Sequence, residues 1–353
     1  MVEMAELAVV IMRGGTSKGV FIALDALPED QHERDRVLLR LMGSPDPMQL
    51  DGLGGTHSST SKVMAVGPAA TDQADVDYLF AQVAVDQPVV DYAGNCGNLT
   101  AAVAHYALDQ GLVEVVAPRT VLRMRNLNTD VIVRATVEVA DGRAAWQGDT
   151  VIDGVPGSGA PLVTEDLDPA GSVTGALFPT GQRRDRLEGF ERYEVSLVDV
   201  SSPYLFLNAA ELGLSGEEST AELNGRPELL NELEGLRRAG GRRIGIDSLA
   251  LPRLVLVSPG RDVRVLATSM GTFHHAVPMT GALCIGVAAV LPDTVVHQVA
   301  AAPPAGTVPG QLVVRIEHPK GAVETTVTLD GDRVVAAGVI RTARRLLSGI
   351  AHL

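Results

Sequence analysis

Two segments about half a chain apart share one peculiarity: Leu99–Gln110 and Thr280–Val290 are small and apolar on nearly every face. A surface helix shows a single apolar stripe, whereas a helix without a polar face has to be enclosed on all sides. A chain of 353 residues is also too long for one ordinary core. Both constraints are met by an α/β (α+β) architecture of two pseudo-repeated domains, each a curved mixed or antiparallel sheet wrapped around one central helix. The expected domains are 1–176 and 177–353, with the last segment packing back on the first.

The flanking patterns fit that scheme. Leu7–Met12 and Gly19–Ile22 read as strands around the Gly14-Gly15 turn, and Asp35–Met42 as an amphipathic helix stopped by Gly43 and Pro45. Ser61–Val66, Tyr78–Val85 and Val113–Val116 are short β-rich runs. Val121–Met124, Asp130–Val139 and Ala144–Val151 alternate apolar and polar residues like an antiparallel meander. After a Pro/Gly-rich passage at Gly154–Pro161 the style repeats. Strands are expected at Tyr193–Val200, Leu254–Leu256, Arg264–Thr268, Gln311–His318, Val323–Leu329 and Val334–Ile340, and a helix near Pro227–Arg238.

A formal net charge of −14 argues against nucleic acid or an anionic membrane as a partner. The two cysteines, Cys96 and Cys284, make no disulfide framework, and no Cys/His spacing suggests zinc. The N-terminus lacks a basic region and a long apolar run, and no stretch approaches 18 uncharged apolar residues, so a cytoplasmic protein is expected.

The chemistry gathers in polar turns. Asp91-Tyr92-Ala93-Gly94-Asn95-Cys96-Gly97-Asn98 runs straight into the first apolar helix. A cysteine at a helix N-terminus has a lowered thiol pKa, and the unpaired N–H groups beside it can hold a carboxylate. The alternative is a tight turn with a buried, inert cysteine. Met12-Arg13-Gly14-Gly15-Thr16-Ser17-Lys18-Gly19 can turn N–H groups and a guanidinium toward a carboxylate, and it lacks the P-loop order. In Asp51-Gly52-Leu53-Gly54-Gly55-Thr56-His57-Ser58-Ser59-Thr60-Ser61-Lys62, the lysine stands where a hydroxyl-rich loop enters an apolar strand. Desolvated there it can serve as a general base; on a solvated strand edge it would not. Ala267–Gly281 leads into the second helix in the same way and brings Ser269, His274 and Thr280 to its start. Its paired histidines lack further metal-ligating neighbours, so no metal is expected. Cys284, a turn inside the helix, reads as packing.

These segments, in this order, closely resemble the 2-methylaconitate isomerase family (PrpF), which also contains 4-oxalomesaconate tautomerases and methylitaconate Δ-isomerases. The resemblance continues through Gly154-Val155-Pro156-Gly157, Leu177-Phe178-Pro179-Thr180-Gly181, Ser269-Met270-Gly271 with His274, and Arg341-Thr342-Ala343-Arg344-Arg345-Leu346, and so covers essentially the whole chain. It implies the diaminopimelate-epimerase-like fold with the site in the cleft between two domains, and no metal or organic cofactor. It carries the family's catalytic lysine onto Lys62 and its helix-start cysteine onto Cys96. Epimerases of this fold use two cysteines, one per domain. Here the second helix begins Val277-Pro278-Met279-Thr280, which disfavours a symmetric two-thiol racemase and shifts proton work to Lys62.

The expected activity is a cofactor-independent isomerase or tautomerase moving a proton in an unsaturated di- or tricarboxylate such as 4-oxalomesaconate. Lys62 and Cys96 are the expected catalytic pair. Arg13, Thr16, Ser17, Lys18, Gly55, Thr56, Ser59, Asn95, Gly97, Asn98, Ser269, His274 and Thr280 are the expected substrate-binding set. Alternatives are 2-methylaconitate cis-trans isomerase, aconitate or methylitaconate Δ-isomerase, and a non-catalytic carboxylate-binding protein. A homodimer is carried as the expected assembly.

Overall fold

The structure, a computed structural model, describes residues 6–92, 95–248, 251–269, 271–274, 277–306 and 310–353. They divide into two compact units, 1–164 with 341–353, and 165–340. Ala93, Gly94, Met270, His275 and Ala276 of the quoted turns lie outside the described residues, as does the side chain of Ser269.

The first unit opens with a hairpin of β1 (Glu6–Gly14) and β2 (Ser17–Ala23), whose turn uses Gly15 at φ +48°. Helix α1 (Gln31–Met42) starts at Asp30, whose carboxylate accepts the Glu33 N–H, and ends at Gly43 in the left-handed region. Next come β3 (Lys62–Pro68), β4 (Val76–Val83), β5 (Val90–Asp91), α2 (Gly97–Asp109), β6 (Arg119–Asn126), β7 (Ile132–Ala140), β8 (Arg143–Ala144) and β9 (Leu162–Leu167). β1/β2 pair antiparallel, β2/β3 parallel, β3/β4 antiparallel, β4/β6 parallel and β6/β7 antiparallel. The C-terminal strand, Ala343–His352, pairs antiparallel with the other edge of β1.

In the second unit β10 (Val195–Val200) and β11 (Ser202–Asn208) are followed by α3 (Thr220–Asn224), α4 (Pro227–Arg243), β12 (Arg253–Ser258), β13 (Val263–Ser269) and β14 (Thr272–Phe273). Then come α5 (Met279–Val290), α6 (Val295–Val299), β15 (Gln311–His318), β16 (Gly321–Asp330) and β17 (Arg333–Arg341). The successive pairings β10/β11, β11/β12, β12/β13, β13/β15 and β15/β16 run antiparallel, parallel, antiparallel, parallel, antiparallel. That is the order of the first unit, again with helix between the second and third strands and a long apolar helix between the fourth and fifth, to which the second unit adds the short α6. The two units are pseudo-repeats.

Strand alternation explains the layers. On β3, Met64 and Val66 pack into the core around α2, while Val63 and Ala65 face Leu38, Leu41 and Met42 of α1. On β12, Val255 and Val257 join the core around α5, while Leu254 and Leu256 face Leu233 and Leu236 of α4. Each sheet thus carries helices on both faces. In α2 every residue from Leu99 to Leu108 is buried, and in α5 every residue from Gly281 to Ala289. This is the enclosure their composition demanded.

Some expectations need correction. Val113–Val116 forms no strand: it follows the Gly111 helix stop and precedes Pro118, leaving too few residues to pair. Of Ala144–Val151 only Ala144 is in a strand, the two-residue β8. β9, β11 and the C-terminal strand have no counterpart in the expected set; β11 holds Pro203, and the last strand, Ala343–His352, has seven exposed residues in a row, so no alternation marks it.

Candidate active site

The start of α2 is bare of the groups that usually satisfy it. Cys96 is the N-cap, no side-chain cap hydrogen bond is made among the described residues, and the first turn holds no acid to offset the positive end of the dipole. The hairpin turn sits directly against it. A Cβ on Gly14 would lie 2.3 Å from the Asn98 carbonyl oxygen, and one on Gly15 would lie 2.2 Å from Asn98 Oδ1. Only glycine lets β1 and its turn come this close.

The neighbouring side chains are polar. The Cys96 thiol is 3.7 Å from Ser17 Oγ, and both groups are buried. Asn98 Nδ2 donates to Thr16 Oγ1 at 3.1 Å, and Thr100 Oγ1 donates to Asn95 Oδ1 at 3.1 Å. Gly97 is the first residue of the helix. The 154–157 turn also reaches this place, since a Cβ on Gly154 would stand 3.2 Å from Thr16 Cγ2.

Lys62 is the first residue of β3 and has the parity of Met64 and Val66, so it faces α2. Its Nζ donates to Gln82 Oε1, on the strand directly opposite, and lies 5.1 Å from the centroid of the Phe80 ring. The Gln82 amide nitrogen donates to the Ser58 and Ser61 carbonyls at 3.1 and 2.8 Å, tying the lysine's partner to the preceding loop. The Lys62 carbonyl and Leu99 of α2 both crowd Gly19, at 2.9 and 2.6 Å from where its Cβ would be. Ser17, two residues earlier on the same strand face, touches Cys96. One face of β2 therefore joins the lysine's strand to the cysteine's helix.

The loop from 51 to 61 is held in shape by groups absent from the expected set. Buried Gln49 accepts the Thr56 N–H at 2.9 Å and donates to Ser61 Oγ at 2.7 Å. Thr56 sits at φ +66°, a costly conformation for a β-branched residue and one that clusters at functional sites. Ser59 accepts the Lys18 N–H through its carbonyl at 3.0 Å, and the Lys18 ammonium lies 3.2 Å from the position of a Gly55 Cβ. Thr16, Ser17, Lys18, Gly55, Thr56, Ser59, Lys62, Asn95, Cys96, Gly97 and Asn98 thus come together in the first unit.

Two arginines brace the turn. Arg13 Nη1 donates to the carbonyls of Gly15 and Thr342 at 3.1 and 2.7 Å and to Thr342 Oγ1 at 3.0 Å. Burial, then the nearby Arg344, lowers its pKa from the usual arginine value. Arg341, outside the expected set although part of the resemblance, donates from Nε to Asn98 Oδ1 at 3.3 Å, and burial lowers its pKa to about 10. Gln82 reaches the site through pairing register, Arg341 through long-range return of the chain and Gln49 through the folding of its own loop, none of which a linear pattern displays.

In the second unit, His274 is exposed and its N–H donates to the Ala267 carbonyl at 2.9 Å. Thr280 lies in the first turn of α5, its Oγ1 3.1 Å from the hydroxyl of Tyr204. The N-cap of α5 is Pro278, where α2 has Cys96. Cys284 is fully buried, with its thiol 3.4 Å from the Val198 carbonyl and its pKa pushed well up by desolvation. Among the described residues no three His, Cys, Asp or Glu side chains gather as metal ligands, and no helix is long and apolar enough to cross a membrane.

The family described as PrpF protein matches residues 4–353. The 4-oxalomesaconate tautomerase of Pseudomonas putida is 40% identical over 96% of this chain and 94% of its own length. The 3-methylitaconate isomerase of Eubacterium barkeri is 38% identical over 98% of this chain and 96% of its own. Among solved structures, a methylitaconate-delta-isomerase superposes with a TM-score of 0.91 at 37% identity, covering 99% of this chain and 95% of that one.

Proposed function

The chain belongs to the PrpF family and is an isomerase, and we propose that it moves a proton along an unsaturated di- or tricarboxylate without a cofactor. Lys62 takes a proton from carbon conjugated with a carboxylate or carbonyl. The C–H electron pair spreads into a dienolate, whose charge is stabilised by the N–H groups at the start of α2. The proton then returns at another carbon of the conjugated system, so that substrate and product are isomers. Cys96 orients the intermediate or protonates it from the other side. Ser17, Thr16, Lys18, Asn95, Gly97, Asn98, Gly55, Thr56 and Ser59 hold carboxylates around it. Arg13 fixes the turn through Nη1 and offers its remaining edge to a carboxylate. Ser269, His274 and Thr280 are proposed as further carboxylate-binding groups.

The observation that carries this reading is the uncapped, acid-free start of α2, with Cys96 on Ser17 and Lys62 on the same face of the sheet. As first substrate we propose 4-oxalomesaconate: Arg34–Leu39, Gly43–Asp46 and Asp75–Val83 resemble the tautomerase branch, while Asp91–Gly94 and Ser269–Gly271 resemble the methylaconitate and Δ-isomerase branch. A cytoplasmic location and a homodimer belong to the same proposal. The test is a panel of 4-oxalomesaconate, 2-methylaconitate, aconitate and methylitaconate followed by ultraviolet absorbance as conjugation changes. Saturable turnover of at least one is expected, and inertness toward all would contradict the reading.

A further inference from the structure

The pseudo-repeat gives Lys62 a counterpart. Lys62 opens β3 and Arg253 opens β12, the third strand of each repeat. β2 lies parallel to β3 with Val20 beside Val63, and β11 lies parallel to β12 with Tyr204 beside Arg253. Arg253 has the parity of Val255 and Val257, so it faces α5 as Lys62 faces α2. Its Nη1 donates to the Tyr204 hydroxyl at 3.2 Å, and that hydroxyl meets Thr280 Oγ1 in the first turn of α5.

The surroundings of this guanidinium are unusual for a structural arginine. Arg253 is partly buried, yet among the described residues no carboxylate stands within ion-pair distance of it. Its Nε is shut off from solvent and has no hydrogen-bond partner among them. A charge withdrawn from water without a counter-ion is costly, as is an orphaned buried N–H. An incoming carboxylate would supply the missing counter-ion to this half-buried side chain, because a guanidinium offers several N–H donors besides Nε. Arginine also stays protonated under ordinary conditions, so this position can bind an anion but cannot exchange a proton.

We propose that Arg253 is a carboxylate-binding residue of this enzyme, the second unit's counterpart of Lys62, with a fixed cation where the first unit has a group that moves a proton. The inference rests on the carboxylate-isomerase reading, and it adds that the second repeat carries a fixed cation for the substrate's charge at the position where the first repeat carries the proton-moving Lys62. Arg253 joins Thr280 as a group that selects multiply charged acids.

The test is calorimetric binding of tricarballylate, a saturated tricarboxylate that cannot isomerise, to wild type, Arg253→Gln and Arg253→Lys at several salt concentrations. Circular dichroism confirms folding, and Arg253→Met, which keeps the apolar stem, replaces the Gln variant should that one unfold. Loss of the charge should raise Kd about ten- to hundredfold and flatten its salt dependence, while the lysine variant keeps the salt slope and part of the affinity. With the acid that the enzyme converts, KM should rise more than kcat falls. A folded, uncharged variant with wild-type Kd and salt slope would overturn the inference, as would a wild type that binds no tricarballylate. If Arg253 governs tricarballylate binding but no acid is isomerised, the isomerase reading falls and this one stands. If Arg253→Gln turns over an acid with an unchanged KM, this inference falls and the isomerase reading stands.

Discussion

At the scale of single residues, environment separates groups that look alike in sequence. Cys96 caps a helix beside Ser17, whereas Cys284 lies wholly inside a core. A hydroxyl can replace the thiol in orienting a substrate but not an amine in moving a proton, so Cys96→Ser should lose less activity than Lys62→Ala. Turnover of both folded variants checks this, and a serine variant less active than the alanine one would make the cysteine the principal acid/base. His105 shows the opposite kind of site. It is buried in α2, its Nε2–H donates to the Ala145 carbonyl at 3.1 Å, and its ring packs on Trp146. Desolvation lowers its pKa to about 4 from the ordinary 6.5. Between those values the unfolded chain binds more protons than the folded one, so this contribution is complete above the unfolded pKa and is lost as pH falls toward 4. Urea unfolding from about pH 7.5 to about pH 4.5 should show stability falling by up to about 1.4 kcal/mol per pH unit from this residue alone. His105→Gln should remove that share of the slope; an unchanged slope would assign it elsewhere.

At the scale of elements, the two enclosed helices and most strands are legible in the sequence, because burial on all sides and alternation leave direct traces in residue type. The apolar period marks a helix over Asp35–Met42, but the element begins at Gln31, on the Asp30 cap, where Gln31, His32, Glu33 and Arg34 are all polar and show no such period. The C-terminal strand is not readable because its pairing with β1, not its own composition, makes it a strand. The site divides along the same line. Lys62, Cys96 and the glycine turns are visible, since each combines a reactive or permissive residue with a local break. Gln82 and Arg253 are not, because their roles come from strand register, and Gln49 is not, because its role comes from the folded shape of its loop. The glycines themselves can be tested as spacers. Gly14→Ala would drive a Cβ into the first-turn backbone of α2, at 2.3 Å from the Asn98 oxygen. We expect a loss of about 1–3 kcal/mol in chemical denaturation. The activity loss should exceed that of Gly349→Ala, whose added Cβ meets only Leu347 Cδ2 at 3.7 Å, an ordinary contact. Equal activity in the two variants would remove the close-approach argument.

At the scale of the whole molecule, one strand-and-helix unit occurs twice, and Lys62 and Cys96, the proposed reactive pair, both lie in the first copy. Pro278 stands in place of Cys96 and Arg253 in place of Lys62, on matching elements. Thiol chemistry should report that asymmetry. A small alkylating reagent at near-neutral pH should modify Cys96 first, in parallel with loss of activity and with protection by bound tricarboxylate, and spare Cys284 until unfolding. Mass-spectrometric mapping checks the order, and modification of Cys284 first would contradict it. The most direct test of the central claim follows the proton itself. In deuterium oxide, nuclear magnetic resonance of the acid under conversion should show solvent deuterium entering at the carbon that gives or receives the proton. Folded Lys62→Ala should lose this exchange by about 10²–10⁴ in rate, the usual worth of a positioned acid/base. Exchange at the wild-type rate in that variant would contradict the account.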